Sequence, residues 1–176
     1  METLLTLAKQ AGFSQAAPLE TSALTVRTEV RDMCASDRCH AYGRSWSCPP
    51  ACGTLAQCQA RIDRYKRGLL LQTTGALEDD FDAESIHDTE VRHKAAFSTL
   101  ARQIRLSYPN CLPLTAGTCT LCRKCTYPDK PCRFPQKRFS SMEAYGLLVS
   151  DVCMKSGLNY YYGPKTITYT SCILID

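Results

Sequence analysis

The spacing of apolar and polar residues predicts about four helices and about four short strands. Leu4, Leu5 and Leu7 lie at helical spacing and predict an amphipathic first helix. Short apolar or β-branched runs, bounded by turn residues, are typical of strands. The helices are predicted over 2–11, 55–67, 84–107 and 141–156, and the strand-like segments over 23–28, 68–74, 112–115 and 166–175.

Capping signals define the start of two of these helices. Thr54 with Gln57 three residues later is a capping box, and the helix that follows should turn Cys58 toward the interior. Ser140, Ser141 and Glu143 give a similar signal ahead of 141–156. The acidic run 78–80 is most simply the solvated entry to the long helix.

Two segments fit no regular element, because prolines and glycines interrupt them. They are 34–58, here called the first cysteine loop, and 117–135, the second cysteine loop. The predicted fold is α+β, with a small mixed sheet of about four strands packed with about four helices and these two irregular loops. At 176 residues, the chain is expected to form a single domain over 1–176.

The composition is that of an ordinary globular protein, with 44% hydrophobic and 22% charged residues. The longest apolar stretches, 68–71 and 173–175, are far shorter than the ~20 residues that a membrane span needs. The first residues show no secretory signal. We therefore expect no membrane contact and a cytoplasmic location.

Cysteine is the unusual residue, with 12 in the chain. Disulfides are disfavoured because no secretory signal is visible and because a chain of this length needs no covalent staples. Buried thiols explain a few cysteines but not clusters beside proline, glycine and charged residues. Metal binding is the remaining role, and the spacing of the cysteines indicates which kind.

The second loop gives the sharper signal. Three cysteines, each two residues from the next, suit a [4Fe–4S] cubane, because they can reach three irons while the intervening backbone N–H groups turn toward the sulfides. A later cysteine beside a proline closes the fourth iron. Zinc prefers two separated Cys-x2-Cys pairs, which this run matches less well. The predicted ligands are Cys119, Cys122, Cys125 and Cys132, of which Cys132 could serve the other cluster instead.

The first loop offers five thiols where four would suffice. Cys34, Cys39 and Cys48 have no obvious alternative role. Cys58 is favoured over Cys52 as the fourth ligand, because a helix N-terminus stabilises an anionic thiolate. A zinc site or scattered buried thiols are the alternatives here. Cys111, Cys153 and Cys172 lie in or beside regular elements and are expected to be core thiols.

Net charge is consistent with bound clusters. The chain has 21 Lys and Arg residues and 17 Asp and Glu residues, which gives a formal net charge of +4. Two [4Fe–4S] sites with four thiolates each would carry about −2 apiece and cancel that excess. The basic residues around the loops therefore do not require a nucleic acid, although they could dock an acidic redox partner. No phosphate loop, dinucleotide fingerprint or serine-hydrolase elbow is present.

Taken together, these motifs resemble a prokaryotic family of predicted metal-binding proteins, domain of unknown function 2284. The matching residues are Tyr42-Gly43, Trp46, Cys48-Pro49-Pro50, the cysteine triplet, Pro131-Cys132-Arg133, Pro135 and Ser141-x-Glu143-Ala144-x-Gly146. The resemblance covers roughly residues 25 to 175 and implies a two-cluster iron–sulfur protein of anaerobic metabolism. It implies no particular reaction.

The favoured function is a low-potential single-electron carrier or redox adaptor that holds two [4Fe–4S] clusters and serves a partner enzyme. On this hypothesis the protein is not itself an enzyme. The first alternative is an iron–sulfur reductase or reductive activator with one cluster open to substrate. The second is a zinc-binding interaction module.

Overall fold

The computed structural model describes residues 1–176, except for the side chain of Ala23. Across these residues the chain forms five α-helices and a five-stranded sheet, which confirms the predicted α+β class. The helices are α1 (Glu2–Gln10), α2 (Thr28–Ala35), α3 (Leu55–Ile62), α4 (Ala83–Ser107) and α5 (Val149–Lys155). The strands are β1 (Gln15–Glu20), β2 (Arg67–Ala76), β3 (Leu112–Thr115), β4 (Ser140–Ser141) and β5 (Thr166–Ile175).

The sheet is mixed and has the strand order β1-β2-β5-β3-β4. Its centre is the antiparallel pair β2 and β5, which runs from Arg67 opposite Ile175 to Ala76 opposite Thr166. At one edge β3 and β4 are parallel neighbours. The second cysteine loop connects β3 to β4, and the first lies between β1 and β2 along the chain.

Both faces of the sheet are covered, and β2 shows why its apolar run is unbroken. Leu69 and Leu71 pack on one face against α1 and α4, in a core that includes Phe97 and Leu100. Leu70 points to the opposite face, where α3 and α5 pack. In a strand that is buried on both faces, apolar and polar residues do not alternate, so the sequence reads as a continuous apolar run.

Several predicted elements are confirmed with their local chemistry. Thr54 Oγ1 accepts a hydrogen bond from the backbone N–H of Gln57 at 3.2 Å, and the Gln57 side chain accepts one from the Thr54 N–H at 2.9 Å. This is the capping box that the sequence predicts at the start of α3. The long helix is also confirmed, and Asp82 caps it by accepting from Ser85 N.

The strand predicted over 23–28 is wrong. Val26 pairs only with Leu147, in an isolated bridge, and α2 begins at Thr28. The side chain of Gln59 takes the place of a strand partner: its Oε1 accepts from Val26 N at 3.0 Å, and its Nε2 donates to Leu24 O at 3.3 Å. The first strand is instead β1, at the sheet edge, where Pro18 is tolerated.

The helix predicted over 141–156 is wrong in its first half. Ser141 does cap a turn, since its Oγ accepts from Ala144 N at 3.1 Å, but the turn is a single 3₁₀ turn over Glu143–Tyr145. Gly146 stops it with φ +84°, and a Cβ there would lie 2.5 Å from the Leu55 side chain. Only α5 continues as α-helix.

Among the helices that the structure describes, none combines the length and the apolar character needed to cross a membrane.

Candidate metal centre

The first cysteine loop leaves the last turn of α2, which carries Cys34. Asp37 then turns the chain with φ 53° and accepts a hydrogen bond from Tyr42 N at 2.9 Å. Arg44 forms an ion pair with the same carboxylate at 3.1 Å. One short acidic side chain thus holds both ends of the turn that contains Cys39.

These turns bring three of the predicted ligands into one cavity of about 170 Å³. Cys34, Cys39 and Cys48 line it, and Glu143 forms part of the opposite wall. Burial raises the pKa of Cys34, and the nearby charges of Glu143, Cys39 and Cys48 raise it further. A cation would relieve this crowding of potential anions.

Cys58 and Cys52 do not line this cavity. Their sulfurs lie on the inner side of Ala144: Cys52 Sγ donates to Ala144 O at 3.3 Å, and Arg31 Nη2 donates to Cys58 Sγ at 3.6 Å. Cys58 is fully buried, as its position on α3 predicts. Its role as a metal ligand remains a prediction.

The interaction between the two thiols sets their acidities. It lowers the pKa of Cys58 to about 7, with a further contribution from the positive charge of Arg31, and raises the pKa of Cys52 well above its usual range. Cys58 is therefore the better thiolate of the pair.

The second cysteine loop brings all four of its predicted ligands to one cavity, lined by Cys119, Cys122, Cys125 and Cys132. This cavity is tight, at about 20 Å³. Its walls come from exposed, irregular chain. A cluster in this site would therefore require the loop to open around it.

The electrostatics of this cavity favour the thiolate of Cys125 but not that of Cys119. Burial acts to raise the pKa of Cys125, but hydrogen bonds to its sulfur outweigh burial and hold the pKa below its usual value. The donors are the backbone N–H groups of Tyr127, Trp46 and Thr126 and the hydroxyl of Ser45. Burial raises the pKa of Cys119, and the other three thiols of the loop add to the rise. Backbone donors aimed at sulfur are the environment that an iron–sulfur cluster needs.

The second cavity also contains a buried donor without an acceptor. Arg138 lines it, and its Nε has no hydrogen-bond partner, although one guanidinium nitrogen donates to Trp46 O. Buried N–H groups are normally satisfied. The sulfur atoms of an anionic cluster would accept from this donor, so the residues present fit such a group.

The thiols of the two cavities are not gathered around one ion-sized point. Among the described residues, no group of three or more His, Cys, Asp or Glu side chains is gathered closely enough to hold a single metal ion. A tetrahedral zinc, with Zn–S ~2.3 Å, needs its sulfurs ~3.8 Å apart. A cubane binds each thiolate to a different iron, and so it accepts more widely spaced thiols.

The two cavities are lined by sequence neighbours: Ser47 lines the second and Cys48 the first, and Thr118 lines the first and Cys119 the second. Gly117 and Thr118, from the start of the second loop, line the first cavity, whereas Ser45 and Trp46 of the first loop line the second. Trp46 Nε1 donates to Lys130 O at 3.0 Å, which fixes the two loops to each other.

The predicted core thiols and the histidines lie outside both cavities. Cys153 and Cys172 are fully buried, and Cys111 packs at the edge of the core below α4. His93 is fully buried between the hydroxyls of Thr73 and Ser171, at 2.9 and 2.6 Å. Burial lowers its pKa to about 4.

Sequence reasoning missed the contribution of Glu143 and Arg138 to the cavities. Glu143 belongs to the Ser141-x-Glu143 pattern, which predicts a helix cap. Arg138 is one of several basic residues around the second loop. The pattern alone does not separate the one arginine that lines the cavity beside Trp46 from its solvated neighbours.

A comparison with protein families matches residues 17–175 to the family described as predicted metal-binding protein, DUF2284. No curated protein and no solved structure matches the chain.

Proposed function

The chain belongs to the DUF2284 family of predicted metal-binding proteins, and from this premise we propose that it holds two [4Fe–4S] clusters and carries single electrons to a partner enzyme. Cys119, Cys122, Cys125 and Cys132 bind the second cluster. Cys34, Cys39 and Cys48 bind three irons of the first. When bound, such clusters supply reversible one-electron chemistry at low potential.

The observation that carries this proposal is the presence of two cysteine-lined cavities whose lining residues adjoin at Ser47-Cys48 and Thr118-Cys119. A single structural site would need only one of them. Two one-electron centres placed side by side let the protein accept an electron at one face and release it at another. The thiols of Cys48 and Cys119, one from each cavity, lie close enough for their charges to interact.

Charge supports an electron-transfer role with a protein partner. Arg123, Lys124 and Arg133 are exposed on the second loop, close to the cavity that its thiols line. After two clusters of about −2 each offset the formal charge of +4, these residues remain as a local basic patch. Such a patch would steer an acidic redox partner to the second cluster.

The setting proposed for this function is a cytoplasmic, anaerobic and prokaryotic one. All 12 cysteines are free thiols in the described structure. Exposed clusters and unpaired thiols persist where the surroundings are reducing.

The test is anaerobic purification followed by iron, sulfide and zinc analysis and an absorbance spectrum. We expect about eight irons and eight sulfides per chain and a brown colour that fades with dithionite. Stoichiometric zinc without sulfide would instead indicate the zinc-binding module.

A reductase is the second candidate, because only three thiols line the first cavity and an open iron could meet a substrate. Dithionite-reduced protein should pass one electron per cluster to an oxidised cytochrome. If it reduces no acceptor protein, and its spectrum changes only with small ligands such as cyanide, the reductase is favoured.

A further inference from the structure

The first cavity has fewer thiols than a cubane has irons. Cys34, Cys39 and Cys48 line it, whereas the Cys52 thiol donates to Ala144 O and the Cys58 thiol accepts from Arg31 Nη2. Either sulfur would have to leave buried hydrogen bonds to reach the cavity. The fourth position therefore calls for a different donor.

Glu143 lies where such a donor is needed. It lines the same cavity as the three cysteines, and its backbone carbonyl accepts from Cys34 Sγ at 3.7 Å. The 3₁₀ turn that carries it is held at both ends, by Ser141 and by the hydrogen bond from Gly146 N to Glu143 O at 2.8 Å. Its position relative to Cys34 is thus fixed by the backbone.

The buried carboxylate of Glu143 is only partly satisfied, by the Ser141 hydroxyl and by its own backbone N–H. Its Oε2 is buried and has no hydrogen bond. Of the ion pairs found among the described residues, none involves Glu143. Buried charges in proteins are paired, or they coordinate metals.

We propose that Glu143 is the fourth ligand of the first cluster, beside Cys34, Cys39 and Cys48. This inference rests on the proposed function, because it requires a cluster in the first cavity. A carboxylate carries the same charge as a thiolate, so the net charge of the site stays at about −2. An oxygen ligand binds iron but is a harder and more exchangeable donor than sulfur, and it makes this iron distinct from the other seven.

The test compares Glu143→Gln with Cys58→Ala, Cys52→Ala and the exposed control Glu84→Gln, all purified without oxygen. Glu143→Gln should hold about seven irons instead of about eight and give the electron paramagnetic resonance signal of an oxidised three-iron cluster. The two cysteine variants and the control should keep all the iron. Full iron in Glu143→Gln, or a loss of iron confined to Cys58→Ala or Cys52→Ala, overturns the inference.

A measurement on the unaltered protein decides the matter if Glu143→Gln loses the whole first cluster or fails to fold. Mössbauer spectra of the ⁵⁷Fe-enriched protein should resolve one iron as a separate doublet. Eight irons with sulfur-only character would overturn the assignment. Zinc without sulfide in the unaltered protein would instead defeat the proposed function, so the two failures are distinguishable.

Discussion

The thiol of Cys48 in the first loop lies close enough to the thiol of Cys119 in the second for their charges to interact. Burial is the main cause of the raised pKa of Cys48, and the neighbouring Cys119 adds to it, while the hydroxyls of Ser47 and Ser45 oppose it. Each of these residues is a predicted ligand of a different candidate centre. Electron transfer between the proposed clusters would use this proximity.

Replacing one cysteine of the triplet should empty only one site. Cys122 lines the second cavity and not the first. We expect Cys122→Ser to lower the iron content by about half, from about eight to about four per chain. Cys111→Ser is the matched control, because this thiol lines neither cavity, and it should keep all the iron. Full iron in Cys122→Ser would show that Cys122 is not a ligand.

Arg138 should set the potential of the second cluster. Arg138 lines the thiol-lined cavity and has an unpaired Nε–H, and its positive charge would stabilise the more negative, reduced form of the proposed cluster. Arg138→Gln should lower that potential by about 60 mV, a tenfold change for a one-electron couple. The exposed Arg102→Gln removes the same charge from a side chain that does not line the cavity, and it should leave both potentials unchanged in a redox titration.

His93 should make the fold sensitive to mild acid. Burial lowers its folded-state pKa to about 4, below the usual 6.5, so the unfolded chain binds the proton more readily. Stability is then fully present above pH 6.5 and is lost as pH falls toward 4. Between pH 7 and pH 5 the unfolding free energy should drop by about 2 kcal/mol from this group.

Urea unfolding followed by circular dichroism measures this loss. His93→Gln should be less stable at pH 7, because it disturbs the bonds to Thr73 and Ser171, but its stability should fall less between pH 7 and pH 5. The exposed His87→Gln should keep the full pH dependence. Equal slopes for all three proteins would rule out His93 as the cause.

A Cβ at Gly75 should separate β2 from α4. It would overlap Thr89 Oγ1 and come within 3.1 Å of Thr89 Cβ and Cγ2. Gly75→Ala should destabilise the fold by about 1–3 kcal/mol, as over-packing does. The double variant Gly75→Ala/Thr89→Ala should lose less stability than the sum of the losses in the two single variants. Strict additivity in denaturant melts would contradict a direct clash.

The sequence predicted the elements whose signals are local. The capping box at Thr54, the long α4 and the apolar run of β2 depend on residues a few positions apart, and all three are confirmed. The strand prediction for 23–28 was wrong because a side chain distant in sequence, that of Gln59, forms the hydrogen bonds of this backbone. Which groups pair over such separations is decided by packing, which local periodicity does not encode.

The same limit applies to the candidate site. Periodicity correctly predicted that Cys58 is buried, but it could not predict which residues surround the buried thiol. Its neighbours are Arg31 and Cys52, and it does not line the cavity. The triplet in the second loop needed no such knowledge, because its four thiols are close in sequence and line one cavity. Glu143 joins the first cavity only through the three-dimensional fold.

The long pairing of β2 with β5 has a kinetic consequence. Ten residue pairs join strands that lie roughly one hundred positions apart, and the second cysteine loop falls between them. Closing a chain segment of that length costs about 4 kcal/mol in entropy before the strand contacts repay it. Proteins dominated by such distant contacts fold slowly. The thiols of the second loop should therefore be exposed to solvent, metal and oxidant for most of the folding time.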